Sequence, residues 1–192
     1  MSGLTPATAA STDIDITDGA TVTITNDDVA VITIADVTIS EDAGTGTATL
    51  TLDKAVAATF DVYVNSAAGT AGHNDDFTEV FNEIASFTGT AGETQTINFT
   101  VLDDDVVELD ETFRLLLSSV TNTSLNHDDF NLTDEATVTI KNDDAATLAI
   151  DDVDKAENAD GTTATLTFTV TLTGDVDQGM TVDFATSDGT AL

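Results

Sequence analysis

The stretch that decides how this chain is organised is Val101-Leu-Asp-Asp-Asp-Val-Val-Glu-Leu-Asp-Glu-Thr-Phe113. Six carboxylates fall within the nine residues 103–111, with no Lys or Arg among them. Two carboxylates about 4 Å apart repel by roughly 1 kcal/mol in bulk water and by about 4 kcal/mol at an effective dielectric constant of about 20. The stretch therefore requires solvent, protonation or a bound cation, and a solvated acidic turn is the simplest alternative.

The type of ligand narrows the choice of cation. The chain has no Cys and only two His, so its acidic oxygens are the main candidate ligands. These are hard ligands, and Ca²⁺ takes about 6 to 8 of them at about 2.3–2.6 Å in a flexible geometry. Composition therefore favours calcium over zinc.

Composition also limits the partners. Against 36 Asp and Glu the 192-residue chain has 4 Lys and Arg, a formal charge of −32. A surface this negative excludes nucleic acid and anionic membrane surfaces as partners and favours cations. Hydrophobic residues make up 41 % of the chain, enough for one or two packed domains. No apolar run approaches the ~18 residues of a membrane span, so we expect no direct membrane insertion.

The chain repeats itself. Ala20-Thr-Val-Thr-Ile-Thr-Asn-Asp-Asp28 matches Ala136-Thr-Val-Thr-Ile-Lys-Asn-Asp-Asp144, 116 residues later, and Glu41 matches Glu157 at the same spacing. Residues 64–71 match residues 184–191 at a spacing of 120. We therefore expect a segment of a longer array. Its parts are the C-terminal strand of a preceding repeat (1–28), a complete repeat (29–144) and the N-terminal half of a following repeat (145–192).

Apolar residues of the complete repeat alternate with polar ones at period two, which is typical of half-buried strands. About seven such strands in roughly 116 residues predict an antiparallel β-sandwich of immunoglobulin-like size. The alternating residues are Ile32, Ile34, Ala48, Leu50, Leu52, Phe60, Val62, Val64, Ile97, Phe99, Val101, Phe113, Leu115, Leu117, Val138 and Ile140.

Four features of this repeat carry a family resemblance. They are the acidic loop and strand 102–117, the Asp76-Phe77 step, the turn Gly92-Glu-Thr-Gln-Thr-Ile97 and the closing strand 136–144. Together they resemble the Calx-β repeat. Its most specific part is DDD-x-x-E-x-D-E-x-F, followed some 30 residues later by a strand that ends in N/D-D-D. The resemblance implies an all-β fold, an immunoglobulin-like antiparallel β-sandwich in tandem Calx-β repeats. Family members bind Ca²⁺ in sodium–calcium exchangers or serve as tandem modules in secreted and cell-surface proteins.

The resemblance also implies a set of calcium ligands, all at the ends of predicted strands. Folding into a sandwich would bring such ends together at one pole. Asn142 stands where calcium-binding members often have Asp, which removes one charge. The implied ligands are Glu41, Asp76, Asp103, Asp104, the carbonyl of Val106, Glu108, Glu111, Asp143 and Asp144.

These observations predict a calcium-binding module with Ca²⁺ as its only cofactor, and no enzyme, because no nucleophile elbow, phosphate loop or paired acid and base is evident. We expect a secreted or cell-surface protein of bacterial origin, in which the repeat is a spacer or adhesion module stiffened by calcium. Its expected partners are calcium ions, neighbouring repeats and, as further candidates, other cell-surface proteins or glycans. Two alternatives stay open: a calcium sensor in a membrane transporter, and a non-catalytic accessory module of a secreted carbohydrate-processing enzyme.

Overall fold

The structure is a computed structural model that describes residues 19–156, 158, 161–187 and 189–190. Residues 1–18, most of the predicted tail of a preceding repeat, lie outside the described residues, and so does Glu157, the repeat counterpart of Glu41.

Within residues 29–144, strands form where the apolar residues alternate. In chain order the strands of the whole described chain are β1 (Ala30–Ile34), β2 (Val37–Ser40), β3 (Thr45–Leu52), β4 (Phe60–Ala68), β5 (Glu83–Phe87), β6 (Thr94–Thr100), β7 (Val106–Val107), β8 (Glu111–Thr121), β9 (Phe130–Asn131), β10 (Glu135–Lys141), β11 (Thr147–Ile150), β12 (Val170–Thr173) and β13 (Asp175–Val176). One sheet has the order β6-β3-β1-β9 and the other the order β2-β10-β8-β4-β5. Short 3-10 turns lie at Glu41–Ala43 and His127–Asp129. The predicted all-β sandwich is confirmed.

The core lies between the two sheets and follows the predicted alternation. In β3, for example, Ala48, Leu50 and Leu52 are fully buried while Thr47 and Thr49 face solvent. Thr suits these outward positions because a β-branched side chain packs well on a pleated surface. The alternating burial thus sets the register of each strand against the core.

The first strand of the sandwich changes sheets at Ala35 and Asp36. Before this step β1 pairs antiparallel with β3, and after it β2 pairs parallel with β10. The Asp36 carboxylate fixes the crossing, since its Oδ1 accepts the backbone N–H of Thr137 at 2.7 Å. Because Ser40 is then opposite Lys141, Glu41 lies beside the segment that follows β10.

An aromatic stack positions a second part of the same pole. The rings of Phe77 and Phe113 are parallel, with centroids 4.1 Å apart, and both are buried. Phe77 follows Asp76, and Phe113 lies two residues after Glu111. The stack therefore holds the Asp76 loop against the beginning of β8.

Residues after 144 form two pairings of their own. β11 and β12 make an antiparallel ribbon, and β13 pairs parallel with β7 in the acidic loop. Most large apolar side chains of this segment are exposed, as expected of half a sandwich; Phe184 is 90 % exposed. In the described residues, no helix has the length and apolarity needed to cross a membrane.

Candidate metal centre

Three carboxylates meet at the pole reached by the Asp76 loop and the acidic loop. One ligand oxygen each from Asp76, Glu108 and Glu111 lies within 4.8 Å of the others. They line a cavity of ≈ 10 Å³, room for about one water-sized sphere. The remaining lining residues are Glu41, Leu109, Ile140 and Asn142.

Asp76 is held by its own turn and by the start of the acidic loop. The Gly72 N–H donates to Asp76 Oδ2, and the Asp76 N–H donates to the Gly72 carbonyl at 3.1 Å. The Leu102 N–H donates to the Asp76 carbonyl at 2.8 Å. The Asp76 loop and the start of the acidic loop are thus held together by hydrogen bonds of the protein itself.

Glu41 is the only buried charged side chain in the described part of the chain, with 3 % of its surface exposed. No hydrogen bond from those residues reaches its carboxylate. Burial, followed by the charges of Asp104 and Glu108 and of the closing segment, raises its pKa to about 7. A buried carboxylate without a hydrogen bond is costly unless a cation compensates it.

The two Glu residues of the acidic loop are perturbed in the same direction. Burial, a side-chain hydrogen bond with Asp76 and the Asp76 charge raise the pKa of Glu111 to about 7. Burial also raises the pKa of Glu108, together with the charges of Asp76 and Asp104. In both residues burial is the largest cause of the shift, and the neighbouring carboxylate charges add to it.

The closing segment supplies the opposite wall. Asn142 Oδ1 accepts the Glu108 N–H at 2.9 Å, and Asn142 Nδ2 donates to the Asp144 carbonyl at 3.1 Å. Asp144 Oδ2 is buried and has no hydrogen-bond partner among the described residues. Burial and the neighbouring charge of Asp143 raise the pKa of Asp144.

The predicted ligands are therefore placed in two groups. Glu41, Asp76, Glu108 and Glu111 line the cavity itself. Asp104, Asp143 and Asp144 act on Glu41 through their charges, and Asp103 acts in the same way on Asp144. Val106 lies in β7, where its N–H donates to Asp104 Oδ1 at 2.7 Å.

Three residues near the centre were absent from the predicted set. Asn142, noted in the sequence only as a missing charge, organises the loop by its two hydrogen bonds. Asp105 adds charge beside Asp144, and Asp177 of the following segment adds charge beside Glu108 and Glu111. The turn Gly174-Asp-Val-Asp177 could have drawn attention to Asp177, but only its pairing partner makes it relevant. Asp110, which was not predicted as a ligand, forms an ion pair with Lys141.

This donor set fits Ca²⁺. It consists of oxygens from several loops, and it includes a buried Glu41 carboxylate and a buried Asp144 oxygen that no described donor satisfies. The adjustable geometry of Ca²⁺ tolerates ligands from separate loops better than the strict octahedron that Mg²⁺ demands.

Comparisons with known proteins identify the family of this chain. The family model for the Calx-beta domain matches residues 25–144 and 151–192. No curated protein matches. Among solved structures, the chain is similar to the apo-form Calx CBD1 domain, with 24 % identity, a TM-score of 0.52, and coverage of 61 % of this chain and 100 % of that one. It is also similar to calcium binding domain CBD12 of CALX1.1, with 24 % identity, a TM-score of 0.49, and coverage of 58 % of this chain and 44 % of that one. The chain therefore belongs to the Calx-β family, whose domains bind Ca²⁺.

Proposed function

We propose that this chain is a tandem Calx-β segment of a large secreted or cell-surface protein, in which calcium stiffens successive repeats that act as spacers or adhesion modules. The proposed units are residues 1–28, 29–144 and 145–192. In this proposal the segment is non-catalytic, and its partners are calcium ions, the neighbouring repeats and surface proteins or glycans.

One observation carries the proposal, the position of the metal centre at the end of the complete repeat. Asp144 is followed by only Ala145 and Ala146 before β11 begins at Thr147. An ion bound by Asp143 and Asp144 together with Glu41 would fix the first residues of the following repeat relative to the sandwich. A connection of two residues between Asp144 and β11 retains little conformational freedom once the ion fixes Asp144.

The experiment compares the melting temperature of the chain in millimolar Ca²⁺ and in a chelator. A ligand that binds only the native state stabilises it by RT ln(1 + [L]/Kd), about 2.7 kcal/mol at 100 times Kd. The double variant Asp104→Asn, Glu108→Gln should lose most of this gain. A matched variant with the same charge change away from the centre, Glu83→Gln with Asp128→Asn, should keep it. Equal melting temperatures of the unaltered chain in both buffers would refute the proposal.

A calcium sensor in the soluble part of a membrane transporter is the second candidate. The observation that favours it is the raised pKa of Glu41 and Glu111, about 7 for each. Without an ion, the carboxylates of the centre are then partly protonated near neutral pH. Calcium binding therefore releases protons from these carboxylates as well as adding an ion. The dissociation constant separates the candidates, since sensor EF-hand sites bind at about 10⁻⁷–10⁻⁵ M and extracellular modules at about 10⁻⁴–10⁻³ M.

A further inference from the structure

The acidic loop is paired with a strand from the segment that follows the complete repeat. Asp175 and Val176 lie parallel to Val106 and Val107, and the Asp177 N–H donates to the Val107 carbonyl at 3.2 Å. Val107 directly precedes Glu108 in the chain. The pairing therefore places the backbone of Asp177 next to a residue that lines the metal cavity.

The carboxylate of Asp177 is exposed, and the backbone of this residue is hydrogen-bonded to the residue that precedes Glu108 of the cavity wall. The chain thus brings a carboxylate from the following repeat to a pole that is already crowded with negative charge. Without a cation this arrangement is repulsive, and a shared divalent ion would make it attractive.

The same placement recurs at the other end of the complete repeat. Residues 54–56 lie 120 positions before residues 174–176, and Asn26 lies 116 positions before Asn142. Asn26, Asp28, Lys54, Ala55 and Val56 line one cavity of ≈ 180 Å³. Asn26 Nδ2 donates to the Asp28 carbonyl at 3.1 Å, as Asn142 Nδ2 does to Asp144. At both joints, the turn that follows the third strand of a repeat lies near the closing segment of the preceding repeat. The two turns are residues 54–56 and 174–176, and the two closing segments contain Asn26 and Asn142.

The two joints differ in charge. The position of Asp177 is occupied upstream by Ala57, and the position of Gly174 by Lys54. Lys54 forms no ion pair with any described residue. A carboxylate in this turn is therefore a property of the downstream joint and not a requirement of the fold.

We propose that Asp177 is a further ligand of the metal centre, supplied by the following repeat, and that calcium binding docks β13 onto β7. This inference rests on the proposed calcium function and deepens it, because the ion then bridges two repeats directly. The number of charged ligands is one of the features that tune calcium affinity, so loss of this carboxylate should weaken binding.

The first test is calorimetric titration of the full chain with Ca²⁺. Asp177→Asn is compared with Asp183→Asn, which removes another exposed carboxylate of the same segment. We expect a dissociation constant roughly tenfold higher for Asp177→Asn and an unchanged one for Asp183→Asn. Equal affinity of Asp177→Asn and the unaltered chain would overturn this inference alone, whereas absence of binding by the unaltered chain would overturn the proposed function as well.

The second test is hydrogen exchange of the amides of residues 175–177, which reports docking without relying on affinity. Calcium should slow their exchange in the unaltered chain and in Asp183→Asn. In Asp177→Asn, calcium should slow it far less, while exchange in chelator should be as slow as in the unaltered chain or slower, since a repelling charge is gone. Exchange in the unaltered chain that is independent of calcium would overturn the proposed docking.

Discussion

The side-chain oxygen of Asn142 accepts the backbone N–H of Glu108 at 2.9 Å, so a neutral amide connects the closing segment to the acidic loop. Around this amide every other polar lining residue of the cavity is a carboxylate. The amide satisfies a backbone donor without adding to the repulsion. It therefore favours the centre without ion at the expense of one charged ligand.

Asn142→Asp should reverse this balance. The new carboxylate can still accept the Glu108 N–H, but it adds a negative charge and loses the donor to the Asp144 carbonyl. We expect a melting temperature several degrees lower in chelator and a calcium dissociation constant roughly tenfold lower. Asn98→Asp, on the exposed face of β6, is the control and should change neither quantity appreciably. Weaker calcium binding by Asn142→Asp would contradict this expectation.

The raised carboxyl pKa values predict a specific pH dependence in chelator. Glu41 and Glu111 have a pKa of about 7 in the folded chain and an ordinary value of 4.5 when unfolded. Between these values the folded state holds more protons than the unfolded state, so the free energy of unfolding falls as pH rises from about 4.5 through about 7. Thermal melts from pH 5 to pH 8 should show this decline, and Glu41→Gln should flatten it whereas Glu83→Gln should not.

Calcium should invert that dependence. The ion requires ionised ligands, so protons compete with it and binding strengthens as pH rises. At fixed millimolar Ca²⁺ we expect the melting temperature to rise between pH 5 and pH 8. The difference between the calcium and chelator curves therefore widens with pH, and curves that stay parallel would rule out these carboxylates as ligands.

Glu93 should behave in the opposite way, because its charged form is stabilised. Its carboxylate accepts N–H groups of Thr88, Gly89 and Thr90 at 2.9–3.2 Å, and the Thr88 hydrogen bond is the main cause that lowers its pKa to about 2. The resulting stability is present above the unfolded value of 4.5 and is lost as pH falls from there towards 2. Glu93→Gln should lower the melting temperature at pH 7 equally with and without Ca²⁺, whereas Glu83→Gln should have little effect.

The exposed apolar side chains near both ends of the described chain should promote association. Ile24 is 92 % exposed although its repeat counterpart Ile140 is buried, and Phe184 is also almost fully exposed. Exposed apolar side chains of this kind favour association with other chains. Light scattering after size exclusion should show more self-association of the full chain than of a chain shortened to residues 29–144. Monomers of both at high concentration would mean that these apolar side chains do not drive association.

The sandwich could be predicted from sequence because alternation at positions such as Ala48, Leu50 and Leu52 follows directly from the two-sided geometry of a strand. The sheet change at Asp36 could not, since it depends on a hydrogen bond to Thr137, 101 residues away. The ligand set was reached through a family resemblance and remains a prediction for individual residues. Asp177 could not be identified in that way, because its proposed role depends on the register of β13 against β7, two strands far apart in the sequence.

The parallel pairing of β2 with β10 determines how the repeat would carry tension. These strands lie near the entry and the exit of the chain, with Val37 opposite Val138 and Ser40 opposite Lys141. A pull on the two ends in opposite directions would slide one strand along the other, loading the hydrogen bonds between them together instead of opening them one at a time. In an array of such repeats, the strand pair that closes each sandwich would also be the part that resists mechanical unfolding.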